Sequence, residues 1–256
     1  MNRRLLVLII AGVLALLAIP VGIVVVGFAM AFMSNLPATD GETLADGQVT
    51  LVKDSFVNLY VVDAGEGVLL IDAGQSAESV VAAVAKHGVE PADVRAIFLT
   101  HGHGDHTGGI AAFPTAKVYA LAAEQPILTG QVAPPGPMSV MMGKHDSHAT
   151  LERELLDGDR VQVGEVEVQV FSTPGHTPGS AVYLVRGVVF FGDTAGASVD
   201  GTVEGSPWVF SGDVGQNHAS LVDLAKKVDP DSIVGLAFGH TGTMQGGSGL
   251  AAFAAE

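Results

Sequence analysis

Four residues that can bind metal ions lie within six positions of the stretch LTHGHGDHTGG at 99–109: His101, His103, Asp105 and His106. The chain has nine histidines, so three of them are concentrated here. In an extended segment, side chains two positions apart project to the same side, so His101 and His103 can address one ion. The adjacent pair, Asp105 and His106, diverges and can address a second point. The motif therefore predicts a metal site with enough ligands to serve two ions.

Three further candidate ligands each follow the end of a predicted strand by a few residues. They are His176 in STPGHTPGS, Asp193 in FFGDTA and His240 in AFGHTG. Side chains at such positions can converge from one edge of a sheet. The chain contains no cysteine, so imidazole and carboxylate groups must hold the metal. These groups suit Zn²⁺, and iron or manganese are alternatives.

The elements that must position these residues are predicted from hydrophobic periodicity. Strands are expected at 56–62, 68–72, 94–99, 165–171, 181–185, 188–191 and 232–237. Helices are expected at 76–87 and 216–228. Strands and helices are interspersed, and several strands are joined by hairpins, which indicates a mixed α/β layered domain.

The N-terminal segment has the composition of a membrane helix. Residues 5–33 contain no charged side chain, and a run of this length exceeds the ~20 residues that span a bilayer. We therefore expect a retained N-terminal transmembrane helix in 1–33. A cleaved signal peptide is the alternative, because Ala29 and Ala31 flank Met30 as in a cleavage site, although the apolar core of a signal is normally ~7–15 residues long.

The basic residues around this segment predict its orientation. Arg3 and Arg4 precede it, and no Lys or Arg follows until Lys53. The positive-inside rule then predicts that the rest of the chain lies on the periplasmic or extracellular side. Polar and turn-forming residues predict a linker at 34–46, and 47–256 has the length of one domain.

The charge balance limits the classes of partner that the chain can bind. The chain has 27 acidic and 12 basic residues, for a formal net charge of −15. Nucleic-acid binding requires clustered Lys and Arg to neutralise phosphates, and Lys226-Lys227 is the nearest approach to a cluster. Nucleic acid is therefore not expected as a partner, and a small-molecule substrate is. The oligomeric state is left open.

Together these motifs resemble the metallo-β-lactamase superfamily of hydrolases. The resemblance covers about 48–254 and follows the family's order: FVNLYVVDAGEGVLLIDAG, LTHGHGDHTGG, TPGHTPGS, FFGDTAG and FGHTG. It implies a four-layer αββα sandwich with the site at one edge. It also implies that one metal is bound by His101, His103 and His176 and the other by Asp105, His106 and His240, with Asp193 bridging them. Asp72 matches a family aspartate that supports the site, and a strand-end turn is its alternative role.

The charges of such a site explain its chemistry. Two divalent cations, two carboxylates and one hydroxide leave a net charge of about +1, and the pKa of bound water falls to ~7. The site then supplies its own nucleophile for attack on a carbonyl carbon. Asp105 is the expected catalytic residue, because it can orient the nucleophile or carry a proton to the leaving group. We expect two Zn²⁺ ions and cleavage of a small ester, thioester or lactone.

Other activities of the superfamily stay as alternatives. A mononuclear iron sulfur dioxygenase is the first of them, and a non-catalytic metal-binding module is another. β-Lactamase activity is less expected, because one β-lactamase group has cysteine where Asp193 stands and the other dinuclear group lacks a bridging aspartate there. Glutathione thioesters are also less expected, since glyoxalase II enzymes add a C-terminal helical region and only sixteen residues follow His240.

Substrate specificity is expected from the segment 124–160. Three prolines, at 134, 135 and 137, precede methionines at 138, 141 and 142, and a flexible apolar loop of this kind can cover the metals. Packing of these methionines on the core or on a membrane is the alternative. His145 and His148 are interpreted as exposed loop residues rather than a third metal pair. Trp208 and Phe210 are candidates for an apolar pocket wall or for core packing.

Overall fold

A computed structural model describes residues 22, 25, 26, 29 and 34–255. The chain divides into two compact units, Met1–Ser34 and Asn35–Glu256. The predicted transmembrane helix in 1–33 falls almost wholly outside the described residues. Among the residues that are described, no helix has the length and hydropathy needed to cross a membrane. The sheets and the candidate site all belong to the second unit.

A seven-stranded sheet forms the first half of this unit. Its strands are β1 (Thr43–Leu44), β2 (Val49–Asp54), β3 (Val57–Asp63), β4 (Val68–Ile71), β5 (Val94–Phe98), β6 (Lys117–Leu121) and β7 (Leu151–Leu155). They lie side by side in chain order. β1 to β4 pair antiparallel, and β4 to β7 pair parallel. The parallel half places the carboxyl ends of β4 and β5 at the same edge.

A six-stranded sheet faces the first one. Its strands are β8 (Arg160–Val163), β9 (Val166–Ser172), β10 (Ala181–Val185), β11 (Val188–Phe190), β14 (Gly235–Ala237) and β15 (Met244–Gln245). Their order across the sheet is β15-β14-β11-β10-β9-β8. A separate ribbon pairs β12 (Ala195–Ala197) with β13 (Val203–Gly205). β11 and β14 run parallel, so the residues that follow them also emerge together.

Helices cover the outer faces of the two sheets. The α-helices in the described part of the chain are α1 (Ala77–Ala85), α2 (Gly104–Thr107), α3 (Gln125–Leu128), α4 (Ser139–Met142), α5 (Val214–Lys227) and α6 (Ser248–Phe253). α1 packs on the first sheet and α5 and α6 pack on the second, whereas α2, α3 and α4 are four-residue helices in the connections between strands. Ser76 caps α1 by accepting a hydrogen bond from the Ser79 N–H, and Asp213 caps α5 by accepting one from the Gln216 N–H. Side-chain caps of this kind satisfy backbone donors that the first turn leaves unpaired.

Three apolar clusters hold these layers together. The central cluster lies between the sheets and contains aromatic side chains such as Tyr60, Phe98 and Tyr183. A second cluster packs Val80 and Val84 of α1 on the first sheet, and a third packs Leu221 and Leu224 of α5 on the second. β4, which pairs in parallel with β5, is a continuous apolar run, VLLI. The order helix, sheet, sheet, helix confirms the predicted αββα sandwich.

The predicted linker at 34–46 differs from the structure. Residues from Asn35 onward belong to the compact unit, and β1 pairs with β2. The Leu36 N–H donates to Ala197 O, and the Gly41 N–H donates to Leu51 O. Turn-forming residues gave this segment the composition of a linker, whereas backbone pairing and partial burial of Leu36 attach it to the sandwich.

Candidate metal centre

All seven candidate ligands lie at the edge where β5, β9, β11 and β14 end. His101 and His103 follow β5, and Asp105 and His106 occupy the short helix α2. His176, Asp193 and His240 follow β9, β11 and β14. The backbone at this edge is tightly packed: a Cβ on Gly239 would lie 2.3 Å from Asp193 Oδ1, so only glycine fits beside His240.

The first group consists of His101, His103, His176 and Asp193. One candidate ligand atom from each of these residues lies within 4.8 Å of the others. His103 Nδ1 is 3.2 Å from His176 Nε2, and Asp193 Oδ2 is 3.7 Å from the same His176 nitrogen. His101 Nε2 lies 3.9 Å from Asp193 Oδ2. The three imidazoles are buried, so solvent has almost no access to their rings.

The second group consists of Asp105, His106 and His240, whose candidate ligand atoms also lie within 4.8 Å of one another. His240 Nε2 is 3.4 Å from Asp105 Oδ2 and 3.4 Å from His106 Nε2. Asp193 connects the two groups: its Oδ1 is 3.2 Å from His106 Nε2, and its Oδ2 is 3.2 Å from His240 Nε2. One carboxylate is therefore shared by both groups.

Each of four rings is oriented by a hydrogen-bond partner on its second nitrogen. The pairs are His101 Nδ1 with Thr100 Oγ1 (3.0 Å), His106 Nδ1 with Asp72 Oδ2 (2.8 Å), His176 Nδ1 with Ser211 Oγ (3.1 Å) and His240 Nδ1 with Phe56 O (2.9 Å). Such partners fix the tautomer and direction of a metal-binding imidazole. In all four rings the Nε2 atom is left for the centre.

Asp72 supports both groups from beneath. Its Oδ2 accepts hydrogen bonds from His106 Nδ1 and from Thr100 Oγ1, and its Oδ1 accepts one from the Thr100 N–H. The Thr100 hydroxyl in turn contacts His101. Asp72 is buried and has φ 64°, a left-handed conformation that aspartate tolerates better than most residues. Its turn conformation and its support of the site are therefore the same structural feature.

Burial keeps the imidazoles of the first group neutral. It lowers the pKa of His103 to about 3 and the pKa of His176 to about 4, although Asp193 acts in the opposite direction on both. Burial and the neighbouring imidazoles also hold the pKa of His101 well below its usual value. A neutral imidazole has a lone pair available to a cation, so these rings are in the ligand form at neutral pH.

The second group behaves differently in the protein without metal. Burial acts to lower the pKa of His240, but Asp193 and Asp105 outweigh it and raise that pKa to about 10. The pKa of His106 is likewise raised by Asp193, Asp72 and Asp105 against the effect of burial. Burial acts to raise the pKa of Asp105, and the two imidazoles lower it to about 2. In the absence of metal, protons on His106 and His240 therefore occupy this group, because the surrounding carboxylates attract positive charge.

The residues present fit a metal ion. Within the described residues, the buried atoms His101 Nε2 and Asp193 Oδ1 have no hydrogen-bond partner. Buried polar atoms without a partner are costly, and a bound cation satisfies those that face it. Imidazole and carboxylate ligands suit Zn²⁺, iron or manganese. The chemistry of the donor set and the unpartnered atoms therefore indicate a metal centre.

The loop that precedes β7 packs against segments that lie beside the centre. Near its start, the Met138 N–H donates to Val209 O, close in the chain to Ser211, whose hydroxyl contacts His176. At its other end the ring of His145 lies beside Gly104; a Cβ on Gly104 would be 3.6 Å from His145 Cδ2. Gly104 itself separates His103 from Asp105 in the chain. The predicted specificity segment therefore contacts chain segments that neighbour residues of both groups.

Several side chains of this rim are apolar and exposed. Met141, Phe56 and Trp208 are exposed over 79%, 57% and 41% of their surfaces, and the Phe56 ring stacks on His240 at 5.8 Å between centroids. Phe210 is half-buried. His145 and His148 are both exposed, and no metal-binding group among the described residues includes them.

The sequence did not single out three residues that orient the site: Thr100, Ser211 and Glu124. Thr100 had a local signal, because it directly precedes His101 after the strand. Ser211 and Glu124 lie 35 and 22 positions from the segments that they contact, so no local pattern marks them. Two threonines that directly follow candidate ligands bond to the backbone and not to a ligand side chain. Thr107 Oγ1 donates to His103 O, and Thr241 Oγ1 accepts from the Ala197 N–H.

An αββα sandwich with imidazole and carboxylate groups gathered at one edge is typical of metallo-hydrolases. The family model described as "Metallo-beta-lactamase superfamily" matches residues 52–240. The chain belongs to this superfamily, as its sequence motifs predicted.

The curated relatives of the chain include hydroxyacylglutathione hydrolases. The chain is 33% identical over 150 residues to the hydroxyacylglutathione hydrolase of Aeromonas hydrophila, a match covering 57% of this chain and 48% of that protein. It is 30% identical over 193 residues to the hydroxyacylglutathione hydrolase of Salmonella paratyphi B, covering 74% and 63%. The chain thus spans between about half and two thirds of the length of these relatives.

Solved structures of the same fold include β-lactamases. BJP-1, a subclass B3 metallo-β-lactamase of Bradyrhizobium japonicum, is 26% identical with a TM-score of 0.60, covering 83% of this chain and 81% of that one. A metallo-β-lactamase family protein from Thermus thermophilus is 22% identical with a TM-score of 0.59, covering 81% and 78%. The second of these supports the fold alone.

Proposed function

We propose that the protein is a dinuclear metal-dependent hydrolase of a small ester, thioester or lactone. His101, His103 and His176 would hold one Zn²⁺, Asp105, His106 and His240 would hold a second, and Asp193 is available to both. The observation that carries the proposal is the position of Asp193, whose two oxygens lie 3.2 Å from imidazole nitrogens of His106 and His240 and whose Oδ2 lies 3.7 Å from His176. A carboxylate shared in this way suits a pair of ions.

The residues of the centre divide the work of hydrolysis. When bound, the ions supply Lewis acidity and lower the pKa of water toward neutrality. The side chains of Asp105 and His240 are each about one-fifth exposed, whereas the side chain of His106 is fully buried. Because Asp105 is partly exposed, substrate and water can reach its carboxylate. Asp105 orients the water for attack and then passes the proton to the leaving group. Asp193 and the buried imidazoles keep the centre rigid.

The rim favours a substrate with an apolar acyl group. The Phe56 ring stacks on His240 and stays exposed, and Trp208 and Met141 are further exposed apolar side chains, in the segments predicted to line the pocket and to cover the metals. An apolar rim gains free energy by covering an apolar group. The name of the curated relatives, hydroxyacylglutathione hydrolase, supports keeping a thioester among the substrates to test.

Metal analysis combined with a hydrolysis panel tests this function. We expect close to two zinc ions per chain and turnover of at least one aryl ester, thioester or lactone. Asp105→Ala should lower kcat by at least about 100-fold, because it removes the proton carrier. Asp200→Ala is the matched control and should keep full activity, because Asp200 lies in an exposed turn and, among the described residues, its carboxylate hydrogen-bonds to Ser198 and Thr202 within the same turn.

Other results would overturn the proposal. Recovery of one iron per chain with oxygen consumption on a persulfide would indicate the sulfur dioxygenase instead. Turnover of β-lactams alone would assign the activity of the structural neighbours. Metal binding with no turnover across the panel would favour a non-catalytic binding module.

We also propose that the domain is exported and that residues 1–33 anchor it to the membrane. The support is the uncharged run at 5–33 preceded by Arg3 and Arg4. Cell fractionation should recover the full chain with the membranes. Protease added from outside should cleave the domain once the outer layers of the cell envelope are opened. Recovery in the soluble cytoplasmic fraction would contradict this proposal.

A further inference from the structure

The carboxylate of Glu124 lies buried beneath the metal centre, at the end of the turn that follows β6. Glu124 has no solvent-exposed surface. Its Oε1 accepts a hydrogen bond from the Gly102 N–H at 2.8 Å. Its Oε2 accepts from the Thr177 hydroxyl and from the Gly179 N–H, each at 2.8 Å. Within the described residues it makes no ion pair, so three neutral donors satisfy this buried group.

These donors belong to the two segments that supply the imidazoles of the first group. Gly102 lies between His101 and His103, and Thr177 directly follows His176. The two segments are more than 70 positions apart in the chain, and His103 Nδ1 and His176 Nε2 approach to 3.2 Å. The hydrogen bonds of Glu124 go to neighbours of these three rings and not to the rings themselves. Glu124 therefore acts on the backbone that carries them.

The fit around Glu124 leaves little freedom for either segment. A Cβ on Gly179 would lie 2.2 Å from the Glu124 backbone nitrogen. A Cβ on Gly102 would lie 2.8 Å from the Ile127 side chain and 3.1 Å from Glu124 Oε1. Glycine at both positions lets each backbone approach Glu124 directly. The distance between the two segments is thus set by one side chain that bonds to both.

A carboxylate is an expensive way to make this connection. Burial raises the pKa of Glu124 to about 7, although its three hydrogen bonds act to lower it. An apolar residue would avoid the desolvation of a carboxylate. It would also leave two backbone N–H groups and a hydroxyl unpaired. Only a group with acceptors on both sides can bond to the two segments at once, because a carboxylate accepts at both oxygens and an amide at one.

We propose that Glu124 is a positioning residue that holds His101, His103 and His176 at the separation needed for one metal ion. The proposal rests on the metal centre of the proposed function but not on the identity of the substrate. It predicts that loss of Glu124 weakens the first group selectively, since its hydrogen bonds reach none of the second group's residues, Asp105, His106 and His240.

Glu124→Gln tests the proposal with zinc and cobalt as probes and without substrate. The amide presents an N–H to a donor on one side, so one segment is released. We expect zinc affinity at the first group, measured by chelator competition on the full chain, to fall by at least tenfold. Affinity at the second group should stay within about threefold. The visible absorption spectrum of the cobalt-substituted protein should also change, because it reports ligand geometry at the metal.

Two further variants control for a general loss of structure. Glu152→Gln removes an exposed carboxylate that pairs with Lys117 and should leave metal affinity and the cobalt spectrum unchanged. Thr177→Val removes one of the three donors and leaves the carboxylate in place. It should give a smaller loss at the same group, and it serves as the test if Glu124→Gln does not fold.

The outcomes separate this inference from the proposed function. If the unaltered protein binds two metals, and a folded Glu124→Gln variant keeps both affinities and the cobalt spectrum, the positioning role is wrong and the metal centre stands. An equal loss at both groups would also overturn it. If the unaltered protein binds no zinc or cobalt, the proposed function fails, and the positioning role fails with it.

Discussion

At the residue scale, Asp72 shows how one side chain can support two metal-binding groups. It accepts hydrogen bonds from His106 and from the backbone and hydroxyl of Thr100, and Thr100 contacts His101. A partner of this kind fixes the ring tautomer and raises the basicity of the ligand. The motif LLIDAG placed Asp72 at a strand end, and its buried left-handed conformation brings the carboxylate under both rings.

Asp72→Asn should lower metal affinity at the second group about 10–100-fold, because an amide cannot accept from both Thr100 and His106. Chelator competition measures this affinity. Asp54→Asn is the matched control: Asp54 is also buried, but it accepts hydrogen bonds from Gln75 and Ser79, away from the centre. Equal losses in the two variants would mean that the effect is one of general stability.

At the element scale, the hairpin between β2 and β3 contributes both a ligand partner and a rim. Phe56 O accepts a hydrogen bond from His240 Nδ1, whereas the Phe56 ring stacks on the His240 ring and stays more than half exposed. The backbone of this residue therefore orients a candidate ligand, and its side chain faces the open side of the site. The two functions are separable by mutation.

Phe56→Ala should raise KM for esters with an apolar acyl group by about tenfold, which corresponds to the burial of one aromatic face. The zinc content and kcat should change little, since the backbone carbonyl remains. Steady-state kinetics with acyl chains of increasing length measures the effect, and Phe56→Leu should restore most of the affinity. A loss of zinc in Phe56→Ala would show that the ring, not the carbonyl, holds His240.

At the scale of the whole molecule, metal binding and folding stability are linked through protons. A metal that binds the folded chain stabilises it by mass action. In the metal-free protein the pKa of His240 is raised to about 10 by Asp193 and Asp105, against the effect of burial, so a proton competes with the metal below that pH. The pKa values of His103 and His176, about 3 and about 4, mean that the first group has no such competition near neutrality.

The rise in Tm caused by zinc should therefore be larger at pH 8.5 than at pH 6. For each proton that the metal displaces, the apparent affinity falls about tenfold for every unit by which the pH is lowered. At saturating metal this corresponds to a loss of about 1.4 kcal/mol of stabilisation per pH unit. Thermal unfolding with and without chelator at the two pH values measures the difference. A zinc effect that does not depend on pH would contradict the protonated state of His240.

Much of the fold was predictable because its signals are local. Strands β10 and β11 and helix α1 were predicted to within two or three residues, since alternation, apolar runs and the capping residue Ser76 lie within each element. Eight strands of the described part of the chain were not predicted: β1, β2, β6, β7, β8, β12, β13 and β15. The exposed residues of β7, for instance, give it no apolar face to recognise, and it forms by pairing with β6.

The sequence alone determined the chemistry that the site can perform. Five histidines and two aspartates in motifs at predicted strand ends, with no cysteine, select imidazole and carboxylate ligation. Their order along the chain also indicated the superfamily. These properties depend on residue type and short-range spacing, which a linear sequence carries in full.

Only the tertiary structure decided how these residues meet and what holds them. The approach of His103 to His176, the position of Asp193 between two groups and the link made by Glu124 all join segments far apart in the chain. Such contacts depend on how two sheets pack and on which backbones come close. Packing brings together residues that no local pattern relates, so the partners of the ligands could be recognised only once the sandwich had formed.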